Sequence, residues 1–160
     1  MDFGGRYILA ATRPQVWSAL NDTAVLKAAI PGCDTIVWTS DSTLDLAIKV
    51  NLGVVHPVFK GELALSDIAP ASHYTLTGRG RGGLLGLAEG SAAIDLEDHP
   101  DGTLLAFRAV GGASGQIMRL GRAVIGHSAQ RVIDGFFERF AAAAGMGVTA
   151  LPPEPDPSGA

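Results

Sequence analysis

The stretch Thr43-Leu44-Asp45-Leu46-Ala47-Ile48-Lys49-Val50-Asn51-Leu52 alternates cleanly. Leu44, Leu46, Ile48, Val50 and Leu52 share one face. Asp45, Lys49 and Asn51 take the other, with Ala47 among them. A period of two residues is that of a strand with one face in the core and one in water. The same signal repeats outward from here. Residues 57–67 turn Phe59, Leu63 and Leu65 inward. Residues 73–81 and 87–97 follow, divided by Gly82, Gly83 and Gly86. His99-Pro100-Asp101-Gly102 then reads as a hairpin turn into a last strand over 103–110. Upstream, 34–39 forms a strand before the turn Ser40-Asp41-Ser42, and 3–11 a weaker first strand.

Helical signals flank this series. Thr12-Arg13-Pro14-Gln15 starts a helix: Thr12 caps, Pro14 suits the first turn, and Gln15 completes a capping box. Val16, Trp17 and Leu20 give its apolar stripe. A second short helix begins after Asn21 or Asp22, carries Val25, Leu26 and Ile30, and stops at Pro31-Gly32. From Gly115 to Ala144 the period becomes helical. Met118, Ile125, Ala129, Val132, Phe136 and Phe140 lie on one face, Gly121 and Ser128 on its shoulder, and Arg119, His127, Gln130, Asp134 and Glu138 mostly opposite. Strands joined by short turns are antiparallel neighbours. Only the long helix can cover the concave side of such a sheet. The expected fold class is α+β: a curved seven-stranded antiparallel sheet wrapped around a long C-terminal helix, with two short helices after strand 1. One domain spans 1–144. Four of the nine prolines fall in Pro152–Pro157, so 145–160 reads as a disordered tail.

Composition excludes several functions. A net charge of −4 gives no reason for nucleic acid to bind. The single cysteine, Cys33, allows no internal disulfide and fits a reducing, cytoplasmic location. The N-terminus lacks the basic start and apolar run of a signal peptide. No stretch reaches the ~18 apolar residues of a membrane span, so any membrane contact is expected to be peripheral.

The chemistry-bearing residues are sparse. Gly78-Arg79-Gly80-Arg81-Gly82-Gly83 matches G-x-G-x-x-G but lacks the following helix that dinucleotide binding needs. His56, His73, His99 and His127 form no metal-ligand spacing, His99 and His127 reading as solvent-exposed, and Cys33 has no activating neighbour. Tyr74, Arg79 and Arg108 are the polar groups a cavity enzyme would use, and they form no recognisable acid–base set. No catalytic residue and no metal ligand is assigned.

Volume is more informative. The 21 glycines sit largely among apolar residues. Ala88, Gly90 and Ala92 share one strand face, with Gly78 and Gly80 beside them. Small residues facing one another leave space in an interior that is otherwise close-packed. The expected lining of that space is Phe59, Leu63, Leu76, Gly78, Ala88, Gly90, Ala92, Phe107, Met118, Gly121, Ile125, Ser128, Val132 and Phe136.

These residues carry a family resemblance. Val16-Trp17-Ser18-Ala19-Leu20-Asn21-Asp22, Ile30-Pro31-Gly32-Cys33, Phe59-Lys60-Gly61, Gly86-Leu87-Ala88-Glu89-Gly90, Gly111-Gly112, Leu120-Gly121-Arg122 and Phe136-Phe137 together resemble the CoxG family of carbon monoxide dehydrogenase subunits, in the START-like (SRPBCC) helix-grip superfamily. The resemblance implies a non-catalytic partner of a molybdenum hydroxylase. It implies a hydrophobic cavity for an isoprenoid quinone or similar lipid, menaquinone or ubiquinone being the resident molecule. It also implies peripheral contact with the inner face of the cytoplasmic membrane. Recruitment of the dehydrogenase without ligand transport, and cyclase- or hydrolase-like chemistry in the cavity, are the alternatives.

Overall fold

The computed structural model describes residues 2–49, 54, 56–82, 86–114 and 122–152, with the side chains at 113, 114, 122–130 and 134 outside the description. The elements run β1 (Asp2–Leu9), α1 (Arg13–Leu20), α2 (Thr23–Ala29), β2 (Cys33–Trp38), β3 (Thr43–Lys49), β4 (Val58–Ala69), β5 (His73–Arg81), β6 (Leu87–His99), β7 (Gly102–Ser114), α3 (Arg122–Ala144) and β8 (Val148–Leu151). All pairings are antiparallel, in the order β2-β3-β4-β5-β6-β7-β1-β8.

The short helices follow from their caps. The Thr12 hydroxyl accepts from the Gln15 amide at 3.3 Å, and the Gln15 side chain accepts from the Thr12 amide at 2.9 Å. This capping box satisfies two amides that have no partner inside the helix. Asp22 does the same for α2, accepting from the Ala24 amide at 2.9 Å. Gly32 then turns the chain with φ +74°, and its carbonyl accepts from the Lys49 amide at 2.9 Å.

The sheet has eight strands where the sequence pattern suggests seven. The added strand corrects the reading of 145–160 as a wholly disordered tail. Helix α3 ends in a Schellman motif: Gly145 takes φ +71°, its amide donates to Ala142 at 3.2 Å, and the Met146 amide donates to Ala141 at 2.9 Å. The reversal lays Val148–Leu151 along β1, with Leu9 opposite Val148 and Arg6 opposite Leu151. The free edge of β1 is thereby covered. Residues 153–160 lie outside the described residues, as do Val50–Leu52 at the end of the quoted stretch and 115–121 at the expected start of the long helix.

The core is concentrated towards one end of the sheet. Leu9, Val16, Leu105 and Phe140 are fully buried there, with Tyr74, Ile94, Leu96, Phe107, Phe137 and Ala141 around them. Tyr7 stacks on Phe137 with centroids 4.2 Å apart, and Phe107 on Phe137 at 5.5 Å. A smaller cluster of Leu26, Ile36 and Leu44 joins α2 to β2 and β3.

Candidate functional site

Register sorts the inward-facing residues into rows across the sheet. Nearest the packed end is Leu96–Leu105–Tyr7, then Tyr74–Ile94–Phe107, then Leu65–Leu76–Ala92–Ala109. The next row is Leu44–Leu63–Gly78–Gly90–Gly111, and the one beyond is Leu46–Gly61–Gly80–Ala88–Ala113. Side-chain volume falls row by row, so sheet and helix cease to touch. The result is a cavity of about 550 Å³ between the inner face of β3–β7 and the Val132-Ile133 turn of α3. Its size is that of a small-molecule site, typically ~300–1,000 Å³. Its inward side chains are Leu46, Ile48, Phe59, Leu63, Leu76, Val132 and Ile133, over a floor of glycine and alanine.

Eight of the fourteen residues expected at the cavity line it: Phe59, Leu63, Leu76, Gly78, Ala88, Gly90, Ala92 and Val132. Phe107 and Phe136 do not line it. Phe107 is 8% exposed, packed in the core. Phe136 bridges the two core clusters and meets Phe137 edge-on at 5.0 Å. Phe107 lies in a row where Phe137 of α3 reaches the sheet at 5.5 Å, and Phe136 stacks along α3 itself, on Phe140 at 5.8 Å. Met118 and Gly121 lie outside the described residues. Ile125 and Ser128 are on α3, with their side chains outside the description. Leu46, Ile48, Gly61, Gly80, Ala109 and Ile133 also line the cavity, beyond the expected set, as do Glu62, Arg79, Glu89, Ser91 and Val110, which strand alternation assigns to the outer face. Strand alternation carried the signal for Leu46 and Ile48. Ile133 falls four residues after Ala129, three before Phe136 and seven before Phe140, so helical spacing carried its signal too, although the expected lining omits it.

The glycines are small for different reasons. A Cβ at Gly61 would stand 2.8 Å from the Arg79 carbonyl, and one at Gly90 2.8 Å from the Val110 carbonyl. Those two are required by backbone approach. A Cβ at Gly80 would meet Phe59 at an ordinary 3.7 Å. Gly80 is therefore a place where side-chain volume is missing without steric need.

The polar candidates do not converge. Tyr74 is buried in the core with its ring edge-on to Trp17 at 5.4 Å, and burial pushes its hydroxyl pKa well up, so it stays neutral. Arg79 and Arg108 are exposed on the outer face, where Arg79 approaches Glu89 at 3.5 Å. Burial pushes the Cys33 thiol up, against a smaller opposing effect of Lys27, which makes it a poor nucleophile. His73 bonds Asp95 at 2.7 Å. His99 is half-buried rather than exposed, and its ring accepts the Asp101 amide at 3.1 Å within the turn. The side chain of His127 lies outside the description. Among the described residues, no three His, Cys, Asp or Glu side chains gather as metal ligands, and no helix is long and apolar enough to cross a membrane. The glycine motif begins inside β5 at Gly78, and both β5 and the following β6 have antiparallel partners on both sides.

A model of the CoxG family, the carbon monoxide dehydrogenase subunits of that name, matches residues 5–145. The chain belongs to the CoxG family. Among curated proteins no match is found. The CoxG chain shares its fold with a conserved protein from Geobacillus kaustophilus, at 24% identity and TM-score 0.81, over 92% of this chain and 99% of that one. A protein from Chromobacterium violaceum follows at 13% identity and TM-score 0.71, covering 89% and 96%. The Zhui aromatase/cyclase from Streptomyces sp. R1128 is similar at 12% identity and TM-score 0.59, covering 91% and 94%. At these identities the likeness establishes the helix-grip fold and nothing about chemistry.

Proposed function

We propose that this CoxG-family protein carries an isoprenoid quinone, or a prenyl lipid like it, between the membrane pool and a molybdenum hydroxylase of the carbon monoxide dehydrogenase type. The observation that carries this reading is the 550 Å³ cavity walled by aliphatic side chains, Phe59 and bare backbone. Such a wall recognises a ligand by area. About 200 Å² of prenyl chain at ~25 cal/mol per Å² gives roughly 5 kcal/mol before the cost of association. That is loose enough for pick-up and release, as a carrier requires. The family description, which ties CoxG to carbon monoxide dehydrogenase, supports the partner. A cytoplasmic protein touching the inner face of the membrane would connect the two.

The test is native mass spectrometry and organic extraction of the purified protein, followed by titration with short-chain menaquinone and ubiquinone. Co-purified quinone, or saturable uptake of either analogue, is expected. No extracted lipid and no uptake would sink the proposal. A docking protein that carries nothing is the second reading. It gains if quinone reduction by the dehydrogenase survives when the cavity is filled. Cavity catalysis has less support, because Tyr74 lies in the core while Arg79 and Arg108 lie apart on the outer face.

A further inference from the structure

We infer that Gly80 is a specificity-determining residue of the cavity, and that it selects a methyl-branched chain over a straight one. The inference rests on the reading of the cavity as a lipid site and names the feature of the lipid that the wall reads. Glycine in a strand interior lowers stability, and it marks a bulge, a tight bend, or a close approach by another backbone or a ligand. Each cause can be checked at Gly80. Its φ lies outside the left-handed region, so its conformation does not call for glycine. The pairing of β5 runs unbroken past it, from Arg81 to Thr75 along β4 and from Arg81 to His73 along β6, so it marks no bulge. Neither a bend nor a neighbouring backbone crowds it. An added Cβ would have the Phe59 side chain at 3.7 Å and the Lys60 carbonyl at 4.0 Å. Gly61 and Gly90, on the same wall, have a carbonyl at 2.8 Å from that position, and Gly78 has the Leu63 side chain at 2.9 Å. Of the described glycines lining the cavity, only Gly80 is left with the last cause, approach by a ligand.

The shape of the notch says which group approaches. Register sets Gly61 on one side of Gly80 and Ala88 on the other, and the Phe59 side chain bounds the position as well. What is missing is the volume of one methyl group. The floor offers nothing polar, because β5 is paired with β4 and β6 on both sides here and its amides and carbonyls are engaged in the ladder. The group that fits is therefore a methyl. A straight chain lying on this wall passes over the notch and forfeits the contacts its lining offers. A prenyl chain carries a methyl on every fourth backbone carbon, and one that reaches Gly80 fills it. A buried methyl is worth about fourfold in affinity.

The experiment is calorimetric titration of the full chain with two alcohols of equal backbone length, methyl-branched farnesol and straight dodecan-1-ol. Gly80→Ala fills the notch with a methyl of its own. It should weaken farnesol binding about fourfold and leave dodecan-1-ol unchanged. Ala92→Val, further along the same wall, narrows the cavity with no notch to fill and should weaken both alcohols alike. Thermal melts should show Gly80→Ala as stable as wild type or slightly more so. Equal weakening of the two alcohols by Gly80→Ala, unchanged farnesol binding, or a lowered melting temperature would each overturn the inference. So would a larger change of preference in Ala92→Val than in Gly80→Ala. Titration of the same proteins with short-chain menaquinone separates the two ideas. Farnesol binding that depends on Gly80, without menaquinone uptake, removes the quinone reading and leaves the branched chain. Menaquinone uptake that Gly80→Ala leaves unchanged does the reverse.

Discussion

Placing a leucine at Gly80 fills the cavity while leaving the sheet alone. Its Cβ would meet Phe59 at 3.7 Å and the Lys60 carbonyl at 4.0 Å, both ordinary contacts, and its branch would project into the 550 Å³ space. Glycine in a strand interior costs roughly 0.5–1 kcal/mol relative to alanine, so the folded state should be as stable as before or slightly more so. The ligand fares differently. Four side-chain carbons displace about four methylene groups of a prenyl chain, each worth ~0.8 kcal/mol when buried. The loss of ~3 kcal/mol corresponds to roughly two orders of magnitude in Kd. Isothermal titration of wild type and Gly80→Leu with short-chain menaquinone measures it, with thermal melts as the control on folding. A variant that melts normally and binds with unchanged Kd would refute the assignment of the cavity as the ligand site.

Gly61→Ala and Gly90→Ala should do the opposite, because each Cβ would press on a neighbouring carbonyl at 2.8 Å. Both should lose about 1–3 kcal/mol in denaturant melts, whether or not ligand is present. Thr103→Val should cost about 1–2 kcal/mol, since the fully buried hydroxyl donates to the Ala11 carbonyl at 2.8 Å and its loss leaves that oxygen without this partner. Tyr74 predicts an alkaline limit. Its folded pKa lies above the ordinary value of 10, so the unfolded chain loses this proton first as pH rises. Stability should therefore fall above pH ~10, by up to ~1.4 kcal/mol per pH unit, and Tyr74→Phe should remove that slope in equilibrium unfolding. Saturating ligand should raise the melting temperature by several degrees, as ~2.7 kcal/mol at a hundred times Kd implies for a chain of this length.

The sequence shows the sheet clearly because its inner and outer residues differ so sharply in polarity. Leu44, Leu46 and Ile48 alternate with Asp45 and Lys49, and the register lays them on opposite faces. The glycines from Gly78 to Gly90 announce space without saying where it closes. Closure depends on how near α3 comes to each row, and that distance is tertiary. Phe107 is legible as an inner-face residue and Phe136 as part of the helical stripe, yet both fall in the close-packed region, because Phe137 of α3 stacks on Phe107 there and meets Phe136 edge-on. Strand β8 is hidden for another reason. Four residues, Val148–Leu151, carry too little pattern to read alone, and only the αL turn at Gly145 aims them at β1.

The size of the cavity constrains how it is filled. An apolar void left empty costs about 24 cal/mol per Å³, so 550 Å³ of vacuum would cost of order 10 kcal/mol. That is comparable to the whole stability of a domain, ~5–15 kcal/mol. The cavity must therefore be occupied or open to water. Its wall shows the second: Val132 faces the cavity and is still 40% exposed, and Leu63, Leu76, Ala88 and Ala92 on the inner face are only half-buried. Water against such a wall is poorly held, because bare aliphatic groups offer it few hydrogen bonds. A ligand that displaces it gains the apolar area without a prior opening of the fold. This is why an apolar carrier site can persist here, and why filling it by substitution or by ligand should stabilise the same protein.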